Sequence, residues 1–439
     1  MVTVPLWSFD SPDFAARVDD LCKRLHAGNL VAASTNPVDV PVVVSDILRQ
    51  VREGGDSAAA RLASQLDRAS VTAETLRVSE RSLELAHAAA DPEFLSLMRR
   101  AIENIREYQQ HILLKAPPPL VRGGRKLGVR YTPVERVAVY VPGGQALYPS
   151  TVLMTVVPAQ VAGVREIVMV SPPTGGEINP MALALAHELG IREVLRLGGA
   201  VGIAAVAFGT ETIRKVSKVV GPGNAFVAEA KRQLFGQVGI DSIAGPSEVF
   251  ILADESAEPA WIAADLLAQA EHNPGSAILA TPSRELAVAV RHSVGKQMSQ
   301  LERAEVTRPS LEQHSAILVT ESLDAACELA NRFATEHLQI VTVDNACCLQ
   351  RIQHAGAIFL GSHTPVPVGD YFAGPSHVLP TGGTARFFGA LSCNDFLKAS
   401  STLEYSADAL AEDASAIAEF ATREGLTAHA RATRIRHTR

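Results

Sequence analysis

Two pairs of side chains in this 439-residue sequence stand at spacings that suit chemistry. Gln269 and His272 lie three apart in Trp261-Ile-Ala-Ala-Asp-Leu-Leu-Ala-Gln-Ala-Glu-His272, where Ile262, Leu266, Leu267 and Ala270 recur at helical spacing. On a helix the two project from one face, one turn apart. Histidine is a common zinc ligand and a glutamine carbonyl a rarer, weaker one, so such a site needs a carboxylate and another histidine from elsewhere. Taken alone, the spacing fits a helix end facing solvent better. Glu336-His337 joins an acid and an imidazole just before the apolar run 338–341. Such a pair can divide acid and base work between two steps; the bland alternative is a helix-terminal histidine stabilised by the dipole.

Further polar candidates sit in loops. Gly369-Asp370-Tyr371 and Gly374-Pro375-Ser376-His377 lie in a stretch, 363–385, too rich in Gly and Pro to be core, and polar residues fixed on such loops lean towards function. Asp370 would be the carboxylate that Gln269 and His272 lack. Glu424 and His429 place another carboxylate and imidazole near a helix break in the tail. No G-x-G-x-x-G follows any strand-like run. Val141-Pro142-Gly143-Gly144 and Gly221-Pro222-Gly223-Asn224 each follow one and open a helix, a position that brings backbone amides to an anion. Two such loops at strand C-termini of one sheet suit the ligand edge of an open α/β fold.

The elements that must carry these residues read as α/β. Residues 1–120 are mostly helical in pattern, with Asp91-Pro92-Glu93 a clear helix start. Gly-Gly-Arg-Lys at 123–126 reads as a loop into the next domain. Strand-like runs at 136–141, 166–170, 193–197 and 216–220 then alternate with Ala-rich helical runs. The alternation resumes at 249–252, 277–280, 316–319, 338–341 and 357–360. This is the pattern of βαβ units and parallel sheets. The expected organisation is a helical N-terminal region (1–120), a first α/β domain (125–246), a second carrying the chemistry (247–385) and a helical tail (386–439).

Composition bounds the rest. A net charge of −7 with no Lys/Arg-rich run argues against a sequence-independent nucleic-acid binder. Five cysteines without a CxxC pair suit reduced thiols in a cytoplasmic protein. No run is long enough to span a bilayer and no signal peptide is evident, so a soluble intracellular protein is expected.

From about Val134 to Ala430 the chain closely resembles the L-histidinol dehydrogenase family. The matching runs are Tyr140-Val-Pro-Gly-Gly144, Val220-Gly-Pro-Gly-Asn224, Ile243-Ala-Gly-Pro-Ser-Glu248, Gln269-Ala-Glu-His272, Glu336-His-Leu338, Gly369-Asp-Tyr371, His377-Val-Leu-Pro-Thr381, and Glu424-Gly-Leu426 through His429. Eight runs in family order are highly specific. The resemblance implies a zinc-dependent, NAD-linked enzyme that oxidises L-histidinol through L-histidinal to L-histidine, the last step of histidine biosynthesis. It implies Gln269, His272, Asp370 and His429 as ligands of one zinc per subunit. His337 would be the base of the first oxidation and Glu336 the base that activates water for the second. Ser247, His377 and Glu424 match substrate contacts, and Tyr140 and Asn224 match NAD contacts. The family is a homodimer whose C-terminal tail reaches the partner's site, so Glu424 and His429 would act in trans. Departures from the family pattern are Val201 for a Gln that touches NAD, Val366 for a Glu, Thr335 for a Pro, and Gln339 for a common Glu. The alternatives are a paralogue oxidising another polar alcohol, such as a sulfonated diol, a zinc hydrolase, and a non-catalytic zinc-stapled dimer. Tyr371, the paired nucleotide-type loops and the intact Glu336-His337 favour histidinol dehydrogenase over each in turn.

Overall fold

The chain, described over residues 4–27, 38–143, 149–272 and 274–437 in a computed structural model, opens with β1 (Leu6–Ser8), α1 (Phe14–His26), α2 (Val40–Leu66), α3 (Glu80–Ala89) and α4 (Pro92–Ile112). The hairpin of β2 (Leu120–Arg122) and β3 (Arg125–Pro133) leads to β4 (Arg136–Tyr140), α5 (Pro149–Val161), β5 (Glu166–Ser171), α6 (Pro180–Glu188) and β6 (Glu193–Arg196). There follow α7 (Gly199–Phe208), β7 (Lys218–Val220), α8 (Ala225–Leu234) and β8 (Gly239–Ile240). The second half comprises β9 (Ser247–Ala253), α9 (Pro259–Ala270), β10 (Gly275–Thr281), α10 (Arg284–Met298), α11 (Ala304–Gln313) and β11 (Ala316–Val319). It continues through α12 (Leu323–Phe333), β12 (His337–Val341), α13 (Asn345–Arg351), β13 (Ala357–Leu360) and α14 (Val366–Tyr371). The tail holds β14 (Leu397–Tyr405), α15 (Ala407–Arg423) and α16 (Thr427–His437).

Two parallel sheets result, in strand orders β6-β5-β4-β7-β8 and β1-β11-β10-β9-β12-β13. Their central strands are largely apolar because helices cover both faces, with polar residues such as Ser247, Glu248 and His337 confined to the strand starts and Gln339 the inner exception in β12. Along β4, Val137 and Val139 join the cluster under α4 and α5, whereas Ala138 and Tyr140 join that under α2 and α7. Along β9, Val249, Ile251 and Ala253 face α9 and α10, and Phe250 and Leu252 face α1 and α12. The two-residue period of a strand thus sorts one run of residues into two cores. Local signals set the helix starts. Asp91 accepts from Glu93 N at 3.0 Å with Pro92 in the first turn, and Asn224 caps α8 through Phe226 N and Val227 N at 3.0 and 3.1 Å.

Several stretches differ from the sequence reading. The N-terminal region is divided: β1 pairs with β11, and α1 buries Val18, Leu21 and Leu25 against the second sheet, while α2 and α4 pack on the first. Of the expected loop at 123–126, Gly123-Gly124 form the tight turn of the β2–β3 hairpin and Arg125-Lys126 begin β3, which pairs antiparallel with β14 over Leu397–Tyr405. The tail therefore begins as a strand. β14 is exposed along almost its whole length, so no hydrophobic alternation announces it. α10 ends at Met298, and α11, with Pro309 inside it, follows. Gly144 lies outside the described residues. Among the described residues no helix is long and apolar enough to cross a membrane.

The fold places one glycine critically. Gly275 opens β10 opposite Ser247, and a Cβ there would lie 2.3 Å from the carbonyl oxygen of Gln269. Gly275→Ala is expected to destabilise the protein by about 1–3 kcal/mol, because strand or helix end must shift. A urea midpoint equal to the parent's would show that the end of α9 yields freely.

Candidate active site

The N-terminal edge of the second sheet gathers most of the polar residues. Parallel pairing of β9 with β12 sets His337 opposite Val249, which brings Ser247 and Glu248 beside Glu336. Glu336 Oε2 accepts from Ser247 Oγ at 2.5 Å and from Glu248 N at 3.0 Å. Ser247 Oγ in turn accepts from Gln269 Nε2 at 2.7 Å. A donor relay thus runs from the last turn of α9 through a serine to the carboxylate. Because the amide nitrogen of Gln269 is engaged, its carbonyl oxygen is the end left for a ligand.

His337 is buried, and its Nδ1 lies 3.1 Å from the carbonyl oxygen of Glu248. A carbonyl only accepts, so Nδ1 carries the proton and Nε2 holds the lone pair of the neutral ring. Nε2 faces Asp370 Oδ1 at 3.5 Å, and Nδ1 stands 3.5 Å from Glu336 Oε2. Burial disfavours the imidazolium, but the Glu336 and Asp370 carboxylates outweigh it and push the His337 pKa up to about 9. Asp370 occupies the last turn of the six-residue α14 rather than an open loop. Burial raises its pKa, yet His337, His377 and His272 together hold it below the ordinary carboxylate value. His377 Nδ1–H donates to the Asp370 carbonyl at 3.1 Å, and its Nε2 meets Thr151 Oγ1 of α5 at 3.3 Å. Burial lowers the His377 pKa and keeps that ring neutral. The contact to α5 brings the C-terminal edge of the first sheet against the N-terminal edge of the second, so the cleft is shared.

At the first sheet's edge Tyr140 is buried, and its hydroxyl accepts from Gly199 N at 3.0 Å; burial raises its pKa to about 12. Asn224 spends its carbonyl oxygen on the α8 cap and keeps its amide nitrogen free of that duty. Glu424 and His429 stand apart. Both are exposed on the α15–α16 hairpin, beside an open groove of about 880 Å³ lined by Ile417, Phe420 and Leu426. Among the described residues of one chain, no three His, Cys, Asp or Glu side chains are gathered as a metal would need. His272 is exposed just past α9 and close enough to Asp370 to act on its charge.

The structure gives contacts to residues that the sequence reading assigned no role in the site. Asp265 of α9 accepts from Gln339 Nε2 at 2.8 Å, tying the helix of Gln269 to the strand of His337. Thr335 donates from Oγ1 to the His337 carbonyl at 3.0 Å, bracing the start of β12. Glu248 is buried with Oε1 accepting from Gly382 N at 3.2 Å and Oε2 unpartnered. Its sequence signals are its place at the end of the run 243–248 and a carboxylate at the head of an apolar strand. Val201 and Val366 are buried in apolar clusters.

A sequence profile of histidinol dehydrogenase matches residues 32–437. The chain belongs to the histidinol dehydrogenase family. It is 50% identical over 395 residues to histidinol dehydrogenase from Rhodopirellula baltica, covering 90% of this chain and 86% of that one. It is 49% identical over 395 residues to the Geobacillus kaustophilus enzyme, covering 90% and 93%. The crystal structure of histidinol dehydrogenase from Elizabethkingia anophelis superposes with a TM-score of 0.91 at 30% identity, covering 99% of this chain and 98% of that one. Membership makes the chain an oxidoreductase, and the hydrolase reading loses its footing.

Burial, with the Glu336 carboxylate next, pushes the Glu248 carboxyl up to about 8. A carboxyl whose folded pKa is raised binds its proton more tightly in the folded state, so it lowers stability as pH rises from the unfolded value near 4.5 to about 8. Glu248→Gln removes that slope and keeps an acceptor for Gly382 N. In metal-free protein the variant is expected to gain on the order of 5 kcal/mol over the parent at pH 9, with little difference near pH 4.5. Urea titrations at both pH values test this; a gap independent of pH would refute it.

Proposed function

We propose that this protein is a zinc-dependent, NAD-linked histidinol dehydrogenase of the cytoplasm, which oxidises L-histidinol through L-histidinal to L-histidine as the closing step of histidine biosynthesis. The observation that carries the reading is the adjacent Glu336-His337 pair, two bases held in one cleft by the two main-chain groups of Glu248, its N–H on Glu336 and its carbonyl on His337. The zinc ligands are Gln269, His272, Asp370 and, from the partner subunit of a homodimer, the residue equivalent to His429. The donor set fits: a free amide oxygen on Gln269, an ionised Asp370 and a nearby imidazole make the mixed N/O environment that borderline divalent metals accept. When bound, zinc supplies a Lewis-acid hold on the substrate's imidazole and amine and an opposing charge beside Asp370.

In the first oxidation His337 Nε2 takes the alcohol proton as hydride leaves carbon for NAD+. Its high proton affinity in the bare site means that the base form is favoured by mildly alkaline pH and by a cation beside Asp370. In the second, Glu336 takes a proton from the water that adds to the aldehyde, and the resulting gem-diol loses a second hydride to a second NAD+. Ser247, hydrogen-bonded to Glu336, and the neutral His377 orient the substrate, with Glu424 reaching in from the partner. The nucleotide lies at the C-terminal edge of the first sheet, where the strand order reverses between β4 and β7 and where Tyr140 and Asn224 stand.

Dimerisation is supported by exposed apolar side chains on β14 and the α15–α16 hairpin. Leu403 of β14 is 72% exposed and Phe420 of α15 is 68% exposed, next to the groove that holds His429. A patch of this kind marks an interaction surface.

Zinc-loaded protein is expected to yield two NADH per L-histidinol consumed, and none after chelation; one NADH per substrate would remove the second oxidation. Glu336→Gln should retain the first hydride transfer and slow the second by about 10²- to 10⁴-fold, leaving histidinal trapped in single-turnover assays. Dissociating and reassociating equal amounts of Glu336→Gln and His429→Ala proteins should recover about a quarter of the parental rate of L-histidine formation, because half the dimers are mixed and each holds one intact site. No recovery from proteins that exchange subunits would place His429 in its own chain's site.

A further inference from the structure

Among the buried charged groups, one pair lies outside the catalytic cluster and touches a loop assigned to the nucleotide. Lys231 of α8 and Asp241, just past β8, form an ion pair with side chains only 2% and 4% exposed. Lys231 Nζ also donates to the Gly221 carbonyl at 3.0 Å. Asp241 Oδ2 accepts from Gly221 N at 2.7 Å, and Oδ1 accepts from Ser242 N at 2.7 Å. Both main-chain polar groups of Gly221 are therefore held by opposite charges of one pair. No other residue of the Gly221–Asn224 loop has its backbone captured on both sides in this way among the described contacts.

The conformation so held is one that the loop does not take by default. Gly221 has φ +114°, and a Cβ there would lie 2.3 Å from the Tyr140 carbonyl oxygen. Its backbone therefore presses against the end of β4, closer than any side chain allows. Tyr140 continues the linkage, since its hydroxyl accepts from Gly199 N at the start of α7. The loops after β4, β6 and β7 are thereby joined, and Asp241 opens the segment that runs to Ser247. Docking of α8 does not need charge: Val227, Ala230 and Leu234 already bury its inner face. An apolar pair would serve that packing without the desolvation that two buried ions require.

We infer that Lys231 and Asp241 are positioning residues for the nucleotide, setting the Gly221–Asn224 loop in its binding shape before NAD+ arrives. The inference rests on the proposed placement of NAD+ at that loop. The pair touches neither nucleotide nor substrate. Its contribution is preorganisation, which raises affinity by removing the ordering that binding would otherwise demand.

The test uses full-length, zinc-loaded parent with Lys231→Met and Asp241→Asn. Calorimetry measures NAD+ and L-histidinol binding, and hydrogen–deuterium exchange follows the amides of residues 221–227. In the parent, NAD+ should slow exchange at those amides. Lys231→Met should exchange them faster without NAD+ and bind NAD+ about tenfold more weakly, the scale of one ordered hydrogen bond, while L-histidinol affinity stays within about twofold. Asp241→Asn, which keeps an acceptor for Gly221 N, should show a smaller loss in the same direction. The inference is overturned if a folded Lys231→Met binds NAD+ as the parent does. It is equally overturned if both ligands weaken alike, or if NAD+ leaves the parent's loop amides unchanged. Should neither variant fold, the pair supports the whole domain rather than the loop, and the inference fails. A parent that binds no NAD+ at all would instead refute the NAD-linked function itself.

Discussion

Pairing of β9 with β12 is the constraint on which the catalytic cleft hangs. Its register sets His337 opposite Val249, and the three bonds that define the site all cross it: Ser247 Oγ to Glu336, Glu248 N to Glu336, and His337 Nδ1 to the Glu248 carbonyl. A slip of one residue would turn His337 into the opposite core and leave Glu336 without its donors. The strands are held in register by apolar side chains on both faces, among them Phe250 and Leu338 on one side and Val249 and Ile251 on the other. Core packing and catalytic geometry are here one requirement.

The two sheets contribute opposite edges. The first follows the common behaviour of open α/β sheets, with its candidate ligand loops at the C-terminal ends of β4 and β7. The second contributes the N-terminal ends of β9 and β12 and the end of α9. The contact between Thr151 and His377, and the bond from Ser376 Oγ to the Met154 carbonyl at 2.9 Å, press α5 against the loop that follows α14. A reactant bound between these edges would meet loops of one sheet and strand starts of the other, which suits a reaction between two separate molecules.

Electrostatics within the cleft are strongly coupled. Glu248, Glu336 and Asp370 surround His337 in a setting where burial favours neutral forms. The outcome differs for each group: Glu248 holds its proton, Asp370 loses its own, and His337 keeps the balancing positive charge. Acid and base work in one small volume needs such separated proton affinities. The link from Gln339 to Asp265 joins the strand of His337 to the helix of Gln269.

Much of this was legible in the linear chain. Alternating apolar runs announced two parallel sheets, Asp91-Pro92 and Asn224 announced helix starts, and the ordered motifs announced the family. These signals are local, set by periodicity, capping and the residue types that a turn demands. The exposed strand β14, the insertion of β1 at the edge of the second sheet and the helix under Asp370 were not legible. Their conformations are decided by distant partners, and neither exposed β14 nor α14, with its Pro and Gly, carries a strong local preference. The sequence by itself determined which residues could serve as bases and ligands and which family they belong to. Only the tertiary structure decided that Gln269 reaches Glu336 through Ser247, across separations of 22 and 89 residues, and that Glu248 stands buried beside them. Hydrogen-bond partners that far apart are chosen by how the sheets and helices pack, and no local pattern encodes that choice.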